Sequence, residues 1–160
     1  MAPRRSLLHT AEPWERRYGA PVPLGVTYVP GHDSFNFALY SRHATEVTLL
    51  AYAETDPAQP LFEHRFLHPQ NRTGTIWHCW VPASALAGAT LYGYRIGGPP
   101  GHRFDPDKVL LDPYAPSVFF PPEFSRDACA APGRTDGRAP LGVLPPADPA
   151  LRAKLEARGK

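Results

Sequence analysis

Histidine and cysteine are the side chains of this 160-residue chain best suited to hold a metal or attack a substrate, and their arrangement points to neither role. The seven histidines (His9, His32, His43, His64, His68, His78 and His102) are scattered over the chain, and no pair among them reads as a metal site. Cys79 and Cys129 stand far apart and outside any CxxC pattern, which argues against both zinc and a disulfide framework. Cys79 lies in the apolar run IWHCWV and is expected to be a buried small side chain. Serine, histidine and aspartate all occur, but no GxSxG elbow does, so no hydrolytic triad is expected. Glu46, Glu54, Asp56, Glu63, Asp105, Asp107 and Asp112 form no constellation of paired carboxylates. The reading is therefore no catalytic residue, no metal and no cofactor.

Charge excludes further classes. Seventeen basic against fifteen acidic residues leave a net charge of +2, with no basic stripe interleaved with aromatics, so a nucleic-acid partner is not expected. No run approaches the ~20 apolar residues that span a bilayer. The opening MAPRRSLLHTAEPWERRYG lacks the apolar centre of a secretory signal, and the expected location is cytoplasmic.

The elements that must position any site have a period of two. PLGVTYV (23–29), SFNFALYS (34–41), TEVTLLAY (45–52), PLFEHRFLH (60–68), TGTIWHCWVP (73–82) and ATLYGYRI (89–96) are short apolar, β-branched or aromatic runs separated by Gly/Pro/Asp-rich turns. The 21 prolines and 13 glycines exclude long helices. The pattern predicts an all-β antiparallel sandwich. Phe35, Phe37 and Leu39 share one strand face. On the fifth run Trp77, Cys79 and Val81 oppose Ile76, His78 and Trp80, which predicts Trp77 in the core and Trp80 outside. On the sixth, Tyr92, Tyr94 and Ile96 oppose Leu91 and Arg95.

Five segments follow: an irregular start (1–19), the sandwich (20–98), a strap (99–124), a flexible Pro/Gly-rich stretch (125–147) and a short terminal helix (148–160). The last has Asp148 as N-cap, Pro149 at the first helical position and Leu151 and Leu155 at i, i+4. The strap, GHRFDPDKVLLDPYAPSVFF over 101–120, is too rich in Pro and Asp for a helix and too apolar for an idle linker.

LYGYRIGGP and GHRFDPDKVLLDPYA, together with PVPLGVTYVPGHDSFNFALYSRHATEVTLLAYAE, carry a resemblance over about residues 20–120, or to 144 with APLGVLP. The chain resembles the N-terminal module of isoamylase-type glycogen and starch debranching enzymes of glycoside hydrolase family 13. That module is an immunoglobulin-like β-sandwich grouped with the family 48 carbohydrate-binding modules, and it precedes a (β/α)8 barrel that hydrolyses α-1,6 branch points.

The resemblance implies that the strap lies along the catalytic barrel. Leu110, Leu111, Tyr114, Phe119 and Phe120 offer it apolar area, and Arg95, Arg103, Asp105, Lys108 and Asp112 are candidates to tie strap to sandwich. It also implies an α-glucan ligand, whose sugar rings stack on exposed aromatics. Trp80, Tyr92 and Tyr94, with His78 beside them, are the candidates. Hydrolysis in this family needs carboxylates of the barrel, so this chain alone is expected not to be an enzyme. After APLGVLPP, where a debranching enzyme runs on into its first barrel strand, this sequence gives ADPALRAKLEARGK.

Two functions remain open at this point. One is a non-catalytic module that binds α-glucan weakly or supports a catalytic barrel. The other is an interaction sandwich without sugar affinity, docking a barrel chain or another copy of itself through an apolar patch around Tyr114 and Phe119. Replacing Tyr114 by alanine is expected to cost more stability than replacing Trp80.

Overall fold

A computed structural model describes residues 18–146 and, beyond them, Ala157 alone; the expected terminal helix and most of the irregular start lie outside the described residues. Among the described residues nine strands form two antiparallel sheets. The strands are β1 (Gly25–Val29), β2 (Ser34–Tyr40), β3 (Glu46–Tyr52), β4 (Phe62–Arg65), β5 (Arg72–Thr73), β6 (Ile76–Pro82), β7 (Leu91–Gly97), β8 (Val118–Phe119) and β9 (Leu141–Val143). A four-stranded sheet runs β1-β2-β6-β5, and a five-stranded sheet runs β4-β3-β7-β9-β8. The fold is an all-β sandwich. Among the described residues no helix is long and apolar enough to cross a membrane.

Alternation decides the core. Phe35, Phe37 and Leu39 of β2 and Trp77, Cys79 and Val81 of β6 face Val47, Leu49 and Ala51 of β3 and Tyr92, Tyr94 and Ile96 of β7 across the sandwich. Burying each large side chain there stabilises the fold by roughly 1.5–3 kcal/mol. A second, smaller cluster lies on the outer side of the five-stranded sheet, where Leu50, Tyr52 and Leu91 meet Val109, Ala139 and Leu141.

That second cluster corrects the boundaries expected from sequence. The stretch 125–147 is not a loose linker. It holds the helix α1 (Arg126–Ala130), whose N-cap Ser125 side chain accepts a hydrogen bond from Ala128 N, and then β9, which pairs with both β7 and β8. The strap also belongs to the sandwich, because Leu110 exchanges both backbone hydrogen bonds with Tyr94 of β7 (2.7 and 3.0 Å). Gly93 makes this close approach possible, since a Cβ there would stand 3.0 Å from Val109 Cγ1 and 3.1 Å from Leu141 Cδ2.

Candidate functional site

Trp80 and His78 do lie on the outer face of the four-stranded sheet, as their parity requires. Register places Thr27, Asn36 and Trp80 in one row across β1, β2 and β6, and His78 opposite the small Ala38. The combination of an indole, an amide, an imidazole and a hydroxyl suits a ligand with an apolar face edged by hydroxyls.

The face is nevertheless covered by the chain itself. Residues 18–20 cross it and are held through their backbone. Ala20 N donates to Asn36 Oδ1 at 2.7 Å and Asn36 Nδ2 donates to Ala20 O at 3.0 Å. The Tyr18 carbonyl accepts from His78 Nδ1 at 2.7 Å and from Asn71 Nδ2 at 3.3 Å. A carbonyl cannot donate, so Nδ1 carries the proton, and in the neutral ring Nε2 accepts from the Thr73 hydroxyl at 2.8 Å. Gly19 lies flush on β6, with a φ of +83° and room for no Cβ, which would stand 2.6 Å from Cys79 C. The expected exposure is corrected: His78, bonded to the Tyr18 carbonyl, is buried, and Trp80, with the His32 ring edge-on at 5.1 Å, is only 9% exposed. A groove of about 340 Å³ remains beside Trp80, between Val22 and Pro23 of the crossing segment and Thr27 and Val29 of β1.

Tyr92 and Tyr94 are not on a sugar-facing surface. Both are sealed in the core, edge to face at 6.1 Å, and burial pushes both phenol pKa values up. The Tyr92 hydroxyl instead donates to Asp112 Oδ2 at 2.6 Å, and Asp112 Oδ1 accepts from Tyr114 N at 2.9 Å. Asp112 is thus a buried latch between strap and core.

The other strap residues separate into inward ties and outward faces. Arg95 pairs with Asp136 at 2.5 Å, and Asp136 also takes Arg134 at 2.7 Å. Asp105 accepts from Gly133 N and Asp107 N, and these backbone donors, Gly133 foremost, hold its carboxyl below the usual range. Lys108 Nζ caps the end of α1 by donating to Ala128 O and Ala131 O. Leu111 is half-buried, Arg103 is exposed, and Phe119 turns inward onto the second cluster. Leu110, Tyr114, Val118 and Phe120 point outward with Phe124, and Phe120 meets Phe124 edge to face at 5.0 Å.

Sequence reasoning missed Asn36, Asn71, Gly19 and Thr135, whose buried hydroxyl accepts from Val109 N at 2.9 Å. The one available signal was an amide in the middle of a strand, as in SFNF, where such a residue needs a partner. His64 and His68 share the i, i+4 spacing of a helical metal pair but lie on β4 and the loop beyond it. Among the described residues no three His, Cys, Asp or Glu side chains gather as a metal site.

The comparisons with known proteins fit this geometry. Residues 23–115 match Carbohydrate-binding module 48 (Isoamylase N-terminal domain). The chain belongs to this family. The matched stretch runs from just before β1 through the Asp112 latch, so the family pattern includes the strap's attachment. Chloroplastic isoamylase 3 of Oryza sativa subsp. japonica is 42% identical over 118 residues, covering 68% of this chain and 15% of that protein. A glycogen debranching enzyme of Klebsiella pneumoniae subsp. pneumoniae is 45% identical over 105 residues, covering 62% and 14%. This family 48 module therefore spans about 15% of the relatives it matches. It corresponds to their non-catalytic N-terminal module. Two solved structures share the fold. The catalytic module of the glycogen-degrading pneumococcal virulence factor SpuA superposes with a TM-score of 0.55 at 19% identity, covering 86% of this chain and 18% of that one. The Group B Streptococcus pullulanase SAP gives 0.54 at 17%, covering 84% and 16%.

Proposed function

We propose that this module supports the catalytic barrel of an α-glucan debranching enzyme of the isoamylase type and rests on it through the strap of residues 99–124. One observation carries the reading. Of the nine large apolar side chains exposed among the described residues, five fall between positions 110 and 124: Leu110, Tyr114, Val118, Phe120 and Phe124. Exposed apolar side chains gathered on one segment mark an interaction surface more than a solvated one. The anchoring underneath supports the same role. Asp112, Lys108 and the Leu110–Tyr94 pairing fix the strap's backbone, so the outward rings are held ready at little entropic cost on docking.

The occupant proposed is a barrel because the matched relatives continue far beyond this module. The test mixes the 160-residue chain with the Klebsiella debranching enzyme from which the matching segment has been removed. Size-exclusion chromatography with light scattering should show a one-to-one complex, weakened at least about tenfold by Tyr114→Ser with Phe120→Ser. A chain that stays apart from the truncated enzyme, or that pairs with itself through the same rings instead, overturns the reading.

A further inference from the structure

We propose that the chain's own tail, residues 148–160, docks back on the sandwich and seats Leu151 and Leu155 in an apolar pocket at one end of the core. The inference goes beyond barrel docking, because no residue of the strap lines this pocket and its occupant belongs to the same chain.

The pocket has a volume of about 180 Å³ and lies where the chain leaves the sandwich. Phe35, Leu86 and Leu144 are buried members of the main core, and each presents part of the pocket's wall. The half-buried Ala89, Pro145 and Pro146 help to complete it. All of its lining residues are uncharged, so an aliphatic side chain suits it and an ion does not.

Position decides the occupant. Leu144 N donates to the Thr90 carbonyl at 2.9 Å, which pins the departing chain at the pocket, and Pro145 and Pro146 line the pocket themselves. The tail therefore begins at the pocket's edge. Asp148 and Pro149 read as the N-cap and first residue of a helix, so Leu151 follows the exit closely and Leu155 comes about one turn later. So short a connection makes the loop entropy lost on docking small. A helix of about ten residues is marginal in water without something to pack on. Leu151 and Leu155 are the only large apolar side chains it has to pack. Ala157, the one tail residue described, is helical and exposed. Two residues of helix turn it about 200° away from Leu155. That is the orientation required when the leucine pair faces the sandwich.

Nuclear magnetic resonance on the intact 160-residue chain tests the docking. The methyl groups of Leu151 and Leu155 should show nuclear Overhauser contacts to the Phe35 ring and to the methyls of Leu86 and Leu144. The tail amides should exchange at least about tenfold faster in Leu151→Gln with Leu155→Gln than in wild type. Ala153→Gln with Ala157→Gln brings the same residue to the opposite helix face and should leave contacts and exchange unchanged. Mixing isotope-labelled with unlabelled chains separates a tail seated on its own sandwich from one seated on a second copy. Absence of the leucine contacts overturns the proposal. So do contacts found only between copies, or equal exchange in the two double variants. The contacts are read on the wild-type chain, so they decide the matter even if a variant does not fold. The barrel-docking test reads a complex through Tyr114 and Phe120, so failure of either experiment leaves the other standing.

Discussion

The two outer faces of this sandwich are both covered by chain that is not part of the face, but by opposite physics. Over the five-stranded sheet the strap and the segment behind it bury Val109 and Ala139 against Leu50, Tyr52, Leu91 and Leu141 of β9, with one buried carboxylate as a latch. Over the four-stranded sheet residues 18–20 are clamped through their backbone by Asn36, Asn71 and His78. An apolar cover is strong because its worth scales with area removed from water, about 25 cal/mol per Å². A polar cover exchanges protein hydrogen bonds for water at a net of only about 0.5–1.5 kcal/mol each. The first cover therefore draws its strength from apolar burial and the second from a few hydrogen bonds.

The largest effect expected sets Trp80 against Tyr114. Their exposures, 9% and 58%, reverse the order that the sequence implies. Trp80→Ala should cost about 3–5 kcal/mol, whereas Tyr114→Ala, removing a ring already in water, should stay within about 1 kcal/mol. Urea denaturation of the two variants measures the gap, and equal midpoints would remove the distinction between a buried ring and a docking ring. Next comes the apolar cover. Leu141→Ala should cost about 2–5 kcal/mol, because Leu141 is sealed between Gly93 of β7 and the strap residue Val109.

The sequence made the strands legible because period-two alternation is strong in β2, β6 and β7. Their inward sets, from Phe35 to Ile96, are the observed core. It was silent about what covers the outward sets. Leu50, Tyr52 and Leu91 face away from the core by parity yet are buried, since burial there depends on Val109, Ala139 and Leu141, far later in the chain. LGV (141–143) is too short to read as a strand alone, and only pairing with β7 and β8 makes it one. The candidate site split for the same reason. Trp80 and His78 were placed on the right face, Tyr92 and Tyr94 sit on the inward one, and the clamp formed by Asn36 and Asn71 depends on contacts that local pattern does not encode.

A smaller effect is expected at the polar cover. Asn36→Ala removes both bonds to Ala20 at once, and because the freed backbone can turn to water the cost should be about 1–2 kcal/mol. Amide hydrogen exchange separates this from global loss. The amides of residues 18–20 should lose protection while those of β3 and β7 keep it. Protection lost evenly across the sandwich would mean that the two covers are one cooperative unit.

The smallest effect distinguishes the covers by pH. Burial holds the His64 imidazole pKa below its ordinary value of 6.5, and its hydrogen bond to Asn71 opposes that shift only in part. A depressed histidine means that the unfolded chain takes up the proton first. Its contribution is thus complete above pH 6.5 and declines as pH falls below it. Asn71 bonds both His64 and the Tyr18 carbonyl, so His64 shares a partner with the polar cover. The strap has its sensitive group elsewhere. Asp105 is held below its ordinary 3.8 by the Gly133 and Asp107 amides, and its contribution is retained until pH falls below about that value. Between pH 7 and 5, then, exchange at residues 18–20 should quicken while exchange at Leu110 and Val109 does not, and His64→Leu should flatten the response. Loosening of both segments together over that range would show that the two covers respond as one.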